Sequence, residues 1–305
     1  MDEYVIEVDH FRKAYDEFVA VDDISFSVKQ GEIFGLLGPN GAGKTSTLEC
    51  LEGLRMPDGG DLHIAGIDPA HEPVKLRNVI GVQLQSAGLP ESITPDEAMK
   101  LFCAYHGVKP RLDLLERLGV AEKKNTQFYN LSAGMQRRLV LALAIAHHPR
   151  VLFLDEPTAG LDVASRAELH SLMHELKTDG TTIVLATHDM AEAETMSDRV
   201  AILLKGRIVT IGTPMQITAA GAGLTKISVN TQNRCLAHPL ITFPSVNRFI
   251  AQDDYNIYFS SDIGTTVAAI IQYIQEHDDI IVDLRVERPS LEDRFLELTN
   301  SGVIE

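Results

Sequence analysis

Eight consecutive residues, Gly38, Pro39, Asn40, Gly41, Ala42, Gly43, Lys44 and Thr45, have types and spacing that suit phosphate chemistry. They fit the pattern GxxxxGK[ST]. The glycines let the backbone curl until successive N–H groups point inward at phosphate oxygens. A helical pattern begins near Lys44, so the positive end of a helix dipole adds to the same place. Lys44 is a point charge for β- and γ-phosphates, and the Thr45 hydroxyl, followed by Ser46, can face Mg2+. By itself the loop says nucleotide phosphate and nothing narrower. A plain Gly-rich turn capping a helix is disfavoured because an apolar run precedes the loop and a helix follows it.

A second constellation lies downstream. Val151-Leu-Phe-Leu-Asp155-Glu156 is an apolar run ending in two acids. As a buried strand it would put Asp155 at the C-terminal edge of a sheet, where open α/β sheets bind ligands. Asp155 can hold Mg2+ through its water shell, and Glu156 can orient or deprotonate an attacking water. A solvated acidic pair at a strand end is the commoner meaning of such a run. With the phosphate loop upstream, hydrolysis becomes the better reading.

The elements that must position these residues follow from hydrophobic patterning. Short β-rich runs are expected at 4–8, 24–28 and 33–37, then a helix over 44–53, a turn at 57–60 and strands at 62–65 and 79–84. Helices are expected at 95–106, with Thr94 as N-cap, and at 132–147, ending before Pro149. A continuous apolar strand at 151–154, a helix at 163–178, a strand at 182–186 and a helix at 190–196 follow. Strands at 200–204 and 208–211 flank Lys205-Gly206-Arg207 as a hairpin. This alternation predicts an α/β core with a largely parallel sheet and an antiparallel portion near the N-terminus. Residues 1–218 are expected to form that domain and 219–224 a linker. A small α/β domain is expected over 225–305, with strands at 226–229, 256–259 and 280–286 and helices at 265–277 and 290–299.

Composition sets limits. The chain has 305 residues, 45% hydrophobic and 23% charged, enough for one large core and a smaller one. A net charge of −16 opposes non-specific nucleic-acid binding and any basic patch for anionic lipid. No apolar stretch approaches the ~20 residues of a membrane span, and the first residues lack a secretory pattern. Work at a membrane would therefore need another polypeptide. Cys50, Cys103 and Cys235 are odd in number and widely spaced, and are expected as free buried thiols. His147 and His148 read as structural.

Between the two constellations sits Leu131-Ser132-Ala133-Gly134-Met135-Gln136-Arg137-Arg138, which resembles the ABC ATPase signature LSGGQ. Other elements of that family stand in order across residues 4–215. Tyr15 resembles the aromatic that stacks on adenine, and Gln85 resembles the glutamine that contacts Mg2+ and the membrane partner. Gln83, two residues earlier on the same strand face, is the other candidate; Gln85 is preferred as the strand's end. Residues 159–162 resemble the D-loop, and His188 the switch histidine at the γ-phosphate. Ala133 and Met135 depart from the common signature, while Ser132 keeps the N-cap and Gly134 a close-approach position. Arg137 and Arg138 are expected in surface ion pairs. Residues 289–299, and 81–90 followed by Ile93-Thr-Pro, resemble exporter-type subunits of systems for drugs, antibiotics or lipids. Leu291, Phe295 and Leu298 also suit an amphipathic closing helix.

The resemblance implies a P-loop NTPase core with a helical subdomain, binding ATP and Mg2+. It implies a second ATPase subunit, a homodimer more readily than a heterodimer because both half-sites are intact. It also implies a separate transmembrane permease subunit, with this chain cytoplasmic and peripheral on the membrane's inner face. Each ATP would lie between the 38–45 loop of one subunit and Ser132–Gly134 of the other, with Glu156 and His188 catalytic. A soluble ABC ATPase with another task is the alternative. A non-hydrolysing regulator would be expected to lack Glu156 or His188.

Overall fold

A computed structural model describes residues 4–84, 88–220, 224–236 and 242–300. The chain divides into two compact units, Met1–Pro214 and Met215–Glu305. In the first, β1 (Tyr4–Tyr15), β2 (Phe18–Lys29) and β3 (Ile33–Leu37) precede α1 (Lys44–Leu51) and β4 (Gly59–Ile64). Then come α2 (Pro73–Leu76), β5 (Ile80–Gln83), α3 (Pro95–Tyr105), α4 (Leu112–Arg117) and α5 (Ala133–Ile145). The unit ends with β6 (Val151–Asp155), α6 (Val163–Thr178), β7 (Thr182–Thr187), α7 (Met190–Met196), β8 (Arg199–Leu204) and β9 (Arg207–Gly212).

Among the described residues these strands form a six-stranded sheet, β5-β6-β7-β3-β8-β9, and a three-stranded sheet, β2-β1-β4. The larger sheet is parallel except for the β8–β9 hairpin, and the smaller one is antiparallel. Every residue of β3, β6 and β7 is buried, which is why their sequences are unbroken apolar runs. Alternation divides each strand between two cores. Val151 and Phe153 pack with the small sheet and α1, beside Phe34, Leu36, Val184 and Ala186. Leu152 and Leu154 pack with α3, α5 and α6, beside Ile183 and Leu185. The parallel strands therefore end together at one edge, between an antiparallel layer and a helical one.

β1 and β2 are each 12 residues long, much longer than the short runs their patterning suggested. Register shifts between Val8 and Phe11 and between Phe11 and Ala14 break the alternation, and His10 and Asp23 sit at positive φ. The short helices α2 and α4 were not anticipated. The strand expected at 79–84 ends at Gln83, so the reason for preferring Gln85 does not hold. Gln85 itself lies outside the described residues.

The helix α8 (Pro214–Ala219) occupies the first residue of the expected linker, and residues 221–223 of that linker lie outside the described residues. The second unit contains β10 (Thr225–Thr231), β11 (Val246–Gln252), β12 (Tyr255–Ser260), α9 (Ile263–Glu276), β13 (Ile281–Glu287) and α10 (Leu291–Asn300). Its four described strands form an antiparallel sheet in the order β11-β12-β10-β13. Ile227, Val229, Phe243, Tyr258, Ile270 and Ile274 make its core. β11 was not expected. Cys50 and Cys103 are buried thiols, but Cys235 is only half-buried. Among the described residues no helix is long and apolar enough to cross a membrane.

Candidate functional site

β3 carries the chain to Gly38 at the C-terminal edge of the large sheet, between β7 and β8. The backbone there is too crowded for a side chain: a Cβ on Gly38 would lie 2.3 Å from the Leu203 carbonyl oxygen. Gly43 has φ +105°, and a Cβ on it would lie 2.5 Å from the Ala20 carbonyl oxygen. Gly43 also occupies the N-cap of α1, where no side-chain cap bonds the first turn and the helix's own first turn holds no acid. Those N–H groups and the helix dipole are thus left for an anion.

Lys44 Nζ donates to the carbonyls of Gly38 at 2.7 Å and Pro39 at 3.2 Å. It also lies 4.0 Å from Glu156 Oε1, with 6% of its side chain exposed. Burial pulls the Lys44 pKa down, partly offset by Glu156 and Asp155. The Thr45 hydroxyl donates to Asp155 Oδ2 at 3.1 Å. Burial raises the Asp155 pKa, against the stabilising bond from Thr45. Parallel pairing sets Asp155 beside Ala186, and the Glu156 N–H donates to the Ala186 carbonyl at 2.9 Å. Glu156 is held at φ 51°, an uncommon conformation for a residue with a side chain. That turn aims its carboxylate at His188, whose Nδ1 lies 2.7 Å from Glu156 Oε1.

Tyr15 closes one side. Its hydroxyl donates to Ser46 Oγ at 3.2 Å, and Lys13 and Arg55 stand over its ring at 5.3 and 5.4 Å. Tyr15, Phe18, Asn40–Ser46, Asp155 and Glu156 line one cavity of about 340 Å³. Among the described residues no three His, Cys, Asp or Glu side chains form a metal cluster. The Thr45 hydroxyl and Asp155 carboxylate nevertheless converge, a sparse oxygen set that fits a cation retaining waters and binding phosphate oxygens, as Mg2+ does.

The signature residues do not line this cavity. Ser132 caps α5, accepting from the Met135 N–H at 3.3 Å, and Ser132 and Ala133 are exposed. A Cβ on Gly134 would meet only Leu161, at an ordinary 3.6 Å, so nothing inside the chain demands glycine there. Asp162 caps α6 through the Ser165 N–H at 2.9 Å, and its pKa is held down by its bonds from Ser165. Arg138 pairs with Glu168 at 3.7 Å as expected. Among the described residues Arg137 has no ion-pair partner. Its guanidinium donates to the carbonyl of Glu156 at 3.0 Å and to that of Ala159. It thereby ties α5 to the segment carrying the catalytic candidate, a role that side-chain type alone did not signal. Gln83 ends β5 with 2% exposure, and its Oε1 has no hydrogen-bond partner among the described residues.

At the C-cap of α1, Glu52 is 5% exposed, and neither carboxylate oxygen has a hydrogen-bond partner among the described residues. Burial first, then Asp155 and Glu49, push its pKa up to about 8. It lines a separate, mainly apolar groove of about 310 Å³ with Leu54, Leu84, Leu89, Phe102 and His106.

The sequence profile of the ABC transporter family matches residues 21–159. The linearmycin resistance ATP-binding protein LnrL of Bacillus subtilis is 30% identical, over 97% of this chain and 98% of its own. Nod factor export ATP-binding protein I of Ralstonia nicotianae is 35% identical, over 97% of this chain and 94% of its own. Among solved structures, an ATP-binding subunit of an ABC transporter is 30% identical with a TM-score of 0.67, covering 70% of this chain and 92% of that one. The dimeric bacterial ABC transporter cassette MJ0796 is 27% identical with a TM-score of 0.63, covering 68% and 98%.

Proposed function

This chain belongs to the ABC transporter family as an ATP-binding subunit, and from that premise we propose how its residues bind ATP, hydrolyse it and drive export. It is an ATPase, with ATP hydrolysis as its reaction. The observation that carries the site-level reading is the meeting of five side chains at one sheet edge. Thr45 bonds Asp155 at 3.1 Å, His188 bonds Glu156 at 2.7 Å, and Lys44 lies between the loop carbonyls and Glu156.

The loop N–H groups of residues 38–46 and the N-terminus of α1 take the phosphates. Lys44 exchanges the Gly38 and Pro39 carbonyls for β- and γ-phosphate oxygens. Thr45 and Asp155 would hold Mg2+, with Gln85 the third candidate. The cation's contribution is to neutralise charge on the bridging phosphates. Glu156 accepts the proton of the attacking water, and His188 fixes that carboxylate and faces the γ-phosphate. Tyr15 supplies the face on which adenine stacks.

Ser132 and Gly134 act on the nucleotide of a second copy. The exposure of Ser132, the absence of both residues from the lining of the chain's own cavity and the absence of any internal need for glycine at 134 support this. Two ATP molecules then close a homodimer, and hydrolysis opens it. Closure pulls on a separate permease subunit docked at the groove beside Leu84, which keeps this chain on the cytoplasmic face of the membrane. Export as the direction is supported by full-length likeness to subunits named for antibiotic resistance and Nod factor export. Steady-state phosphate release by Glu156→Gln protein tests the assignment. Turnover should be nearly abolished with ATP binding retained, and wild-type-like turnover would overturn the role of Glu156.

A further inference from the structure

β13 is an edge of the sheet in the second unit: among the described residues it pairs with β10 and with no other strand. Exposed edges are usually blunted because their free N–H and C=O groups invite another strand. This one carries Asp283, Arg285 and Glu287 and a register shift near Val282, and it also exposes apolar side chains, with Val282 62% and Val286 42% exposed. Pairing with β10 is regular from Asp283 to Glu287, so Leu284 and Val286 share one face and Asp283 and Arg285 the other, while a register shift between Asp283 and Ile281 leaves Val282 at an irregularity.

The segment Val282-Asp283-Leu284-Arg285-Val286 reads apolar, acid, apolar, base, apolar, and so is complementary to itself when reversed. Laid antiparallel on a second copy with Leu284 opposite the partner's Leu284, it sets Val282 against the partner's Val286. Asp283 then faces the partner's Arg285, and symmetry repeats both pairs. Within one chain Arg285 already lies 2.7 Å from Asp283, and the Tyr255 hydroxyl donates to Asp283 at 2.7 Å. Pairing would join two such ion pairs into a ring of alternating charge.

Neighbouring registers are excluded by the same residues. A register centred on Asp283 sets that acid against itself. One centred on Arg285 opposes two arginines and sets Asp283 against the partner's Glu287. Like charges directly opposite are destabilising, and a one-residue slip would mix the charged and apolar faces.

We infer that β13 is a homotypic docking edge, through which the second unit pairs antiparallel with the second unit of another copy of this chain, centred on Leu284. The proposed ATP sandwich supplies the second copy, but the edge contact needs no nucleotide. Its test therefore uses full-length protein carrying Lys44→Ala, without nucleotide, so that failure of the sandwich leaves the result unaffected.

Directly opposed antiparallel residues have Cα atoms roughly 4.5–5.5 Å apart, within disulfide range. Leu284→Cys should therefore cross-link under mild oxidation, above the background set by Cys50, Cys103 and Cys235. Glu287→Cys pairs should not, because two copies of residue 287 would be about 20 Å apart at ~3.4 Å per residue. Adding Arg285→Asp to Leu284→Cys should cut the yield about tenfold by opposing acids. The swap Asp283→Arg with Arg285→Asp should restore it, which a loss of folding could not do. If Leu284→Cys protein does not fold, mixed chains carrying Val282→Cys and Val286→Cys give the same reading with Leu284 intact. Equal yields at 284 and 287, or no recovery on charge swap, would overturn the inference.

Discussion

Replacing Glu52 with Gln should stabilise the protein in alkaline solution and leave it nearly unchanged in acid. The Glu52 carboxyl is 5% exposed, without a hydrogen-bond partner among the described residues, and raised from 4.5 to about 8 by burial and by Asp155 and Glu49. At about 1.36 kcal/mol per pKa unit, that shift amounts to roughly 5 kcal/mol, a ceiling that local water entry would reduce. The folded state holds a proton that the unfolded state releases near pH 4.5. Stability from this group is therefore intact below that pH, falls as pH rises toward about 8, and is level above it. Gln keeps the shape and carries no charge at any of these pH values. Chemical unfolding of wild-type and Glu52→Gln protein, followed by circular dichroism at pH 5 and pH 9, measures the difference. A gap of under about 1 kcal/mol at pH 5, where the unfolded carboxyl is partly ionised, and a gain of several kcal/mol for Gln at pH 9 are expected. Parallel pH profiles for the two proteins would refute the placement of an unpaired carboxyl there.

Three further outcomes follow from the site. Lys44→Ala should weaken ATP binding by at least about tenfold in calorimetry, since it removes a charge buried among the loop carbonyls; unchanged affinity would count against the loop assignment. His188→Ala should lower kcat by roughly 10²-fold or more while changing KM little, because it releases Glu156 from its 2.7 Å partner; a change confined to KM would contradict a role in the reaction. Gly43→Ala should abolish ATP binding, or the loop's folding, because the Ala20 carbonyl lies 2.5 Å from the new methyl at φ +105°; normal binding would show that the loop tolerates a wider path.

The phosphate loop, the Asp155-Glu156 strand end and His188 were legible in the sequence because β3, β6 and β7 are buried on both faces. Such strands leave uninterrupted apolar runs, and the residues just beyond them fall at the ligand-binding edge. β1 and β2 were read too short because bulges near His10 and Asp23 break the two-residue period on which the reading depends. β11 was missed because its residues are half-buried or exposed, so Val246, Phe249 and Ile250 do not alternate cleanly with polar neighbours. Arg137 was misassigned because its partners are carbonyls of Glu156 and Ala159, backbone atoms that carry no side-chain signature. The isolation of Glu52 was equally hidden, since a single acid at a helix end reads as solvated until packing closes over it.

The central claim is that the 38–45 loop is half of a nucleotide site completed by Ser132 and Gly134 of a second copy. Sedimentation of Glu156→Gln protein with and without Mg-ATP, with retained nucleotide counted, tests it most directly. Arg285→Asp in the same chain silences the β13 contact. An ATP-dependent dimer holding one ATP per chain, and lost when Gly134→Trp is added, is the predicted result. A protein that binds ATP yet sediments as a monomer, or a dimer indifferent to Gly134→Trp, would contradict it.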